Sequence, residues 1–318
     1  MKFKKEEVCM NKIKMILLTG FVFVLSSSLQ AQYIIEQLEY QIPINYELVS
    51  EDMDFEDAAD EARFFLQLSE SKLKDAAQRE YGEIEMIAST IYIDGDNFTV
   101  ESTSPEEGKT TVIFNHNKGL MYYVLWSQEK IFVVLEADMT DIQKDAEAAM
   151  QKMMAQLSPE MQEQARMAMK TEKGNQQSAK QITETGRKMV KYGQKCTEYL
   201  LEDEQEIMVI WASDDSMGLA LKAKSMSDKL AEIFPSMDEE EQDEWEFVSG
   251  KIPIEVRTFR LDVMAGANME IQAITRISKT TPPAEKFILP AEAVGFERSS
   301  FKEMMKQMQE MMQGMDEE

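Results

Sequence analysis

Residues 110–125 read Thr110-Thr111-Val112-Ile113-Phe114, then Asn115-His116-Asn117-Lys118-Gly119, then Leu120-Met121-Tyr122-Tyr123-Val124-Leu125. β-Branched and aromatic residues crowd both arms, and the residues between them tolerate a tight turn and positive φ, so this is a pair of antiparallel strands with its hairpin. The pattern continues in both directions. Upstream, Ile84–Ile93 and Phe98–Ser102 flank the turn Asp94-Gly95-Asp96-Asn97, and residues 105–108 turn the chain into Thr110. Downstream, Ile131–Leu135 adds a fifth strand, so residues 82–136 are expected to form an antiparallel meander.

A second group of strands is expected at Ile182–Val190, Lys195–Leu201 and Glu206–Ala212, joined through Tyr192-Gly193-Gln194 and Glu202-Asp203-Glu204. Ile254–Val263 and Met269–Ser278 pair around Ala265-Gly266-Ala267-Asn268, after which Pro282-Pro283 is expected to end the sheet. Tyr33–Val49 alternates loosely, as an opening strand and a bend at Pro43 and Asn45. Helical spacing appears at Phe55–Arg79, as one helix or a pair, at residues 139–170 with Ser158 capping Pro159, at 219–234 and at 301–315. Strands clustered in two meanders, nine or ten in all, argue for an α+β fold: one antiparallel sheet with helices on one face and long helical insertions. A two-domain split near Gly174 is the alternative.

Met10 to Gln32 has another character. Lys12 and Lys14 precede the apolar stretch Met15–Leu25, and Ser26-Ser27-Ser28-Leu29-Gln30-Ala31 makes a small, polar exit. This is the anatomy of a secretory signal peptide, with Met10 as the start and residues 1–31 removed. The apolar run is shorter than the roughly 18 residues that span a bilayer, and no cysteine follows it to carry a lipid anchor. An exported protein, periplasmic or extracellular and without an integral membrane segment after cleavage, is expected. The remaining chain divides into an opening strand and helical insertion at 32–82, the main sheet at 83–300 and a closing helix at 301–318.

The chain carries 59 acidic against 34 basic residues, a net charge of −25. Loss of the lysine-rich leader makes the mature chain more acidic still. Such a surface repels phosphate backbones and anionic headgroups, which excludes nucleic acid as a partner and makes any membrane contact apolar. Cys196 is the one thiol after the leader, so no internal disulfide forms, and its strand-like setting Lys195-Cys196-Thr197-Glu198-Tyr199-Leu200 reads as a buried structural cysteine. His116 is the sole histidine and lies in a turn, which removes multi-histidine zinc sites, and no G-x-S-x-G stands ready to make a triad with it. No P-loop or G-x-G-x-x-G is present, and Asp94-Gly95-Asp96-Asn97 lacks the later glycine and glutamate of a calcium loop. No cofactor is expected. Paired carboxylates for hydrolysis stay open among so many acids.

Three short patterns resemble an exported bacterial family catalogued as domain of unknown function 4412. They are the strand-turn-strand at 110–125 with its Met121-Tyr122-Tyr123 step, Thr185-Gly186-Arg187 followed by Gly193-Gln194-Lys195-Cys196-Thr197-Glu198-Tyr199, and Lys286-Phe287-Ile288-Leu289-Pro290. The resemblance spans residues 83–296 and implies a sheet similar to the LolA/LppX lipoprotein-carrier fold. That fold is an unclosed antiparallel β half-barrel whose concave face, covered by helices, holds acyl chains in the carriers. The insertions at 55–79 and 139–170 depart from its simplest form.

Twenty-six methionines are the compositional oddity. Met304, Met305, Met308, Met311, Met312 and Met315 fall on one face of the closing helix, and Met150, Met153, Met154, Met161, Met167 and Met169 repeat the theme. An ordinary packing stripe, a deformable surface for an apolar ligand or partner, and a thioether site for Cu(I) all fit this pattern. The expectation is a non-enzymatic exported protein that binds a lipid, a lipoprotein acyl chain or another apolar ligand in the half-barrel's concavity. Met304, Met305, Met308, Met311 and Met312 are the candidate lid, and Trp126, Trp211 and Tyr123 the candidate wall. A structural or partner-binding envelope protein with a filled core, and a carboxylate-only hydrolase, are the alternatives.

Overall fold

The computed structural model describes residues 32–48, 55, 57–135, 138, 144, 181–202, 206–219, 250–260 and 268–303. The opening strand β1 (Gln32–Pro43) lies in the middle of a twelve-stranded sheet. On one side it pairs antiparallel with β2 (Met86–Asp94), from which the chain meanders outward through β3 (Asn97–Ser104), β4 (Gly108–Asn115), β5 (Leu120–Leu125) and β6 (Lys130–Leu135). The second wing begins at the far edge with β7 (Gln181–Lys191). It works inward through β8 (Gln194–Glu202), β9 (Glu206–Asp214), β10 (Lys251–Arg260) and β11 (Asn268–Ser278), which pairs with the free side of β1. The two meanders are therefore the wings of one sheet. Their junction places Glu36 opposite Arg276, 240 residues along the chain.

The expected hairpins form, with local chemistry that explains them. Gly95 takes φ 58° between β2 and β3. At the β4–β5 turn, Asn115 accepts from the Lys118 amide across a short 3-10 turn, and Gly119 follows in the left-handed conformation. Between β7 and β8, Tyr192 and Gly193 both have positive φ, the geometry of a two-residue primed turn that matches strand twist.

Residues 55–79 give a helix pair. Helix α1 (Ala58–Gln67) is capped by Asp57, which accepts from the Asp60 amide, and α2 (Glu70–Tyr81) by Ser69, which accepts from the Lys72 amide. Gly82 stops α2 at φ 90°. The segments at 139–170, 219–234 and 304–315 lie outside the described residues, apart from Lys144 and Leu219. Among the described residues, no helix is long and apolar enough to cross a membrane.

Two expectations need correction. Pro282-Pro283 does not end the sheet: residues 284–296 cross it in two short 3-10 turns, and Glu297–Ser300 then add β12 beside β6. The pairing is parallel, so the sheet is mixed, and the described strands number twelve. Glu297-Arg298-Ser299-Ser300 lacks an apolar alternation, because its position is fixed by the Glu297 amide donating to the Glu129 carbonyl at 2.9 Å and by the packing of the preceding loop.

Residues opposed in register share a face, so the buried faces can be followed strand by strand. In the first wing two unbroken rows of aliphatic and aromatic side chains cross six strands on one side of the sheet, face one. One row runs Tyr33, Ile93, Phe98, Phe114, Met121, Val134, and the next runs Ile35, Ile91, Val100, Val112, Tyr123, Phe132. The second wing buries face two instead, through Tyr40, Ile42, Met269, Ile271, Phe259, Val209 and Trp211. Helix α1 packs there, with Phe65 stacked on Phe259 at 6.3 Å. Strand β1 serves both faces, and the two sets meet in one core cluster.

Candidate functional site

The apolar rows on face one end on a polar one. The next row comprises Gln37, Ser89, Ser102 and Thr110, before Leu125 and Lys130. Ser89 and Ser102 share a 2.8 Å hydrogen bond, whereas the Gln37 carboxamide is 2 % exposed and neither of its ends meets a hydrogen-bond partner among the described residues. Beyond this row opens a cavity of about 200 Å³. Glu39, Ser102, Ser104 and Thr110 line it, with Glu85, Glu106 and Glu107 as acidic walls and Ile87 and Pro105 as apolar ones. Among the described residues no three acidic, histidine or cysteine side chains are placed to hold a metal ion together. Face one thus runs from aromatic and aliphatic side chains, through a band of hydroxyls and one carboxamide, to carboxylates.

Face two of the second wing carries a different constellation. Lys191 Nζ donates to both oxygens of Glu255 at 2.7 and 2.8 Å, and Arg257 Nε donates to Glu255 Oε1 at 2.8 Å. Arg257 also donates to the Leu68 carbonyl at 2.9 Å, the residue that closes α1, so the helix pair is latched to the sheet. Beside this group Arg187 and Thr185 both donate to Glu198, and the Arg187 guanidinium and Lys191 ammonium stand 5.6 and 5.5 Å from the Trp211 ring centre. Every charge in this cluster has a partner of opposite sign. Glu198, Glu255 and Arg257 are deep enough to cost several kcal/mol each when left alone, so their pairing is what makes the cluster tolerable. Its ion pairs tie the strands of this wing to one another and to the end of α1. Strands β7 and β10 are three spacings apart, about 14 Å in a flat sheet, so the direct contact of Lys191 with Glu255 requires this wing to curl toward face two.

Tyr40 lies at the edge of this cluster beneath Lys74, whose ammonium is 3.8 Å from the ring centre. Burial, then the Glu70 carboxylate, pushes its phenol far above the ordinary tyrosine value. Glu70 is held below the usual carboxylate range: burial acts against this, but Lys74 and Tyr40 outweigh it.

The three candidate wall residues are not neighbours. Tyr123 is buried in the second apolar row and stacks on Phe132 at 6.3 Å. Trp126 sits in the turn after β5, donates to Thr111 at 2.9 Å and meets Phe296 edge-on under the 284–296 loop, in a separate cluster on the opposite face. Trp211 belongs to the ion cluster in the other wing. Met304, Met305, Met308, Met311 and Met312 lie outside the described residues. Neither Gln37 nor the Lys191–Glu255–Arg257 group was singled out from sequence. A glutamine within Ile35-Glu36-Gln37-Leu38-Glu39 and a glutamate within Ile254-Glu255-Val256-Arg257 look like the outward half of an alternating strand, and only the pairing register reveals that both are buried.

No family model matches the chain, so the family resemblance rests on the short motifs alone, and no curated protein matches it. Among solved structures it is similar to PNGF-II, in two crystal forms, at 9 % and 7 % identity with TM-scores of 0.23 and 0.22. The aligned region covers 85 % of this chain but spans about a third, 31 %, of PNGF-II. It is also similar to a LolA superfamily protein from Nitrosomonas europaea, at 8 % identity and a TM-score of 0.25, covering 87 % of this chain and 97 % of that one. Likenesses this loose leave function to be argued from the faces of the sheet.

Proposed function

We propose that this chain is a non-enzymatic, exported binding protein, and that its sheet acts as an unclosed half-barrel of the LolA kind which takes up a lipid, an acyl chain or a similar amphiphile along face one. The observation that carries this reading is the order of the three rows across β1–β6. Two rows are aliphatic and aromatic and the third begins with Gln37, Ser89, Ser102 and Thr110, next to a cavity with hydroxyl and carboxylate walls. Burial of an alkyl tail against such rows yields roughly 0.8 kcal/mol per methylene, and the polar row gives the other end of an amphiphile hydrogen-bonding groups. The Met15–Leu25 run with its small, polar exit supports export.

A filled core that serves a protein partner in the envelope is the second reading. It is favoured by the tight burial of the row residues, of which Ile35, Ile91 and Ile93 are 0 % exposed. Native mass spectrometry and lipid extraction of the protein purified from a bacterial envelope separate the two. A stoichiometric adduct of acyl-chain mass, weakened by Val112→Asn or Tyr123→Ser in variants that still fold, supports the binding reading. An apo mass that takes up no added fatty acid or phospholipid overturns it.

A further inference from the structure

The free edge of the second wing is self-complementary. Among the described residues, strand β7 ends the sheet order, pairs with β8 alone and is exposed on both faces from Thr183 to Val190, with Met189 47 % and Val190 63 % exposed. An exposed edge with apolar side chains is a template for another strand. Two features restrict which strand can use it. Thr185-Gly186-Arg187 is left out of the β8 ladder, with Gly186 at φ 78°, and Lys188 projects from the edge strand just beyond this bulge. Both devices turn away an arbitrary flat strand.

A second copy of β7, run antiparallel and centred on Gly186, satisfies both. Glu184 is opposed by Tyr199 in β8, Lys188 by Thr197, Ile182 by Leu201 and Val190 by Lys195, so all four project from the same face. In the centred register Glu184 of one copy stands opposite Lys188 of the other, and Ile182 opposite Val190; two-fold symmetry makes each pair twice. On the other face Thr183 meets Met189. Shifting the centre to Thr185 opposes Ile182 to Lys188, and shifting it to Arg187 opposes Glu184 to Val190, so both shifts lose the charge pairs. The two bulges then coincide at the symmetry axis, where neither must be threaded into a regular ladder.

We propose that β7 is a homodimerisation edge, through which two chains join antiparallel into one continuous sheet across Gly186. The edge lies in the opposite wing from the apolar rows of β1–β6, and dimerisation goes beyond ligand binding.

Charge reversal tests it. Sedimentation of the full chain over a concentration series should show a monomer–dimer equilibrium that weakens with salt. Glu184→Lys and Lys188→Glu should each raise the dimer dissociation constant by about tenfold or more, because each turns two attractive cross-strand pairs into repulsive ones. The double variant E184K/K188E should restore it. Far-UV circular dichroism confirms that the variants fold, as expected for exposed positions. A monomer at every concentration, or a dimer that ignores both reversals, overturns the proposal.

Discussion

Lys191 donates to both carboxylate oxygens of Glu255, at 2.7 and 2.8 Å, although their strands are separated by β8 and β9. The pair is an interaction across the curl of the sheet and therefore reports on tertiary shape. Glu255 is 1 % exposed and also receives Arg257, whose second contact holds the end of α1. Replacing Glu255 with glutamine removes the anion and leaves the largely buried Lys191 and Arg257 without it. A loss of about 3 kcal/mol is expected in urea denaturation, the cost of breaking a buried ion pair from one side. Lys191→Met should cost less, because Arg257 still neutralises Glu255. Equal, negligible effects from both would show that the cluster holds nothing together.

Alkali should destabilise the fold through its tyrosines. The Tyr46 phenol is pushed up to about 12, chiefly by its 2.6 Å hydrogen bond to Glu61 and then by burial, and Tyr192 is pushed up to about 12 by burial and the nearby Glu70 and Glu255. Tyr33, Tyr92 and Tyr199 are raised as well, with burial the main cause. A folded-state value above the unfolded one means that the folded state holds its proton longer. The associated stability is whole below the ordinary tyrosine value of 10.0 and declines as pH climbs toward 12. The melting temperature should therefore be flat from pH 8 to 9 and fall above pH 10, with Tyr46→Phe reducing the fall. Phenolate absorbance that rises at the ordinary value in the intact protein contradicts this.

Cys196 is buried in β8, and burial pushes its thiol above the ordinary value of 9.0, against a smaller opposing effect from Lys191. A thiol reagent at pH 8 should react with it far more slowly in the native chain than in urea, since both access and thiolate fraction are suppressed. Cys196→Ser should cost about 1–3 kcal/mol in urea denaturation by placing a more strongly hydrated hydroxyl at a buried site.

Sequence made the wings legible because their turns carry their own chemistry. Gly95, Gly119 and the Tyr192-Gly193 pair each stand where a hairpin needs positive φ, and the apolar rows of β2–β6 come from residues that alternate in plain view. Strand β12 is illegible, since Glu297-Arg298-Ser299-Ser300 is placed by the preceding loop and by backbone pairing with β6 rather than by its own side chains. The candidate wall failed as a constellation for a related reason. Alternation assigns Tyr123 to a face and Trp211 to another strand's face, yet only long-range register, above all the β1–β11 junction, decides whether two faces are the same. Buried polar groups were hidden by the same gap: Gln37 follows Glu36 and precedes Leu38, and nothing local says that it points inward.

Gln37 offers the sharpest test of how face one is used. Its carboxamide is buried beside Ile35 and the Ser89–Ser102 pair, with neither end satisfied among the described residues. An amide in that state costs roughly 1–3 kcal/mol. Replacing it with leucine or methionine, of similar volume, should raise the stability of the ligand-free protein by about 1–2 kcal/mol in chemical denaturation. A residue that destabilises the empty fold but meets the polar end of a bound amphiphile should show the opposite effect on uptake. Gln37→Leu should therefore weaken retention of a fatty acid while strengthening the apo fold, and a variant that loses stability without a ligand would mean that the carboxamide is already satisfied within the chain.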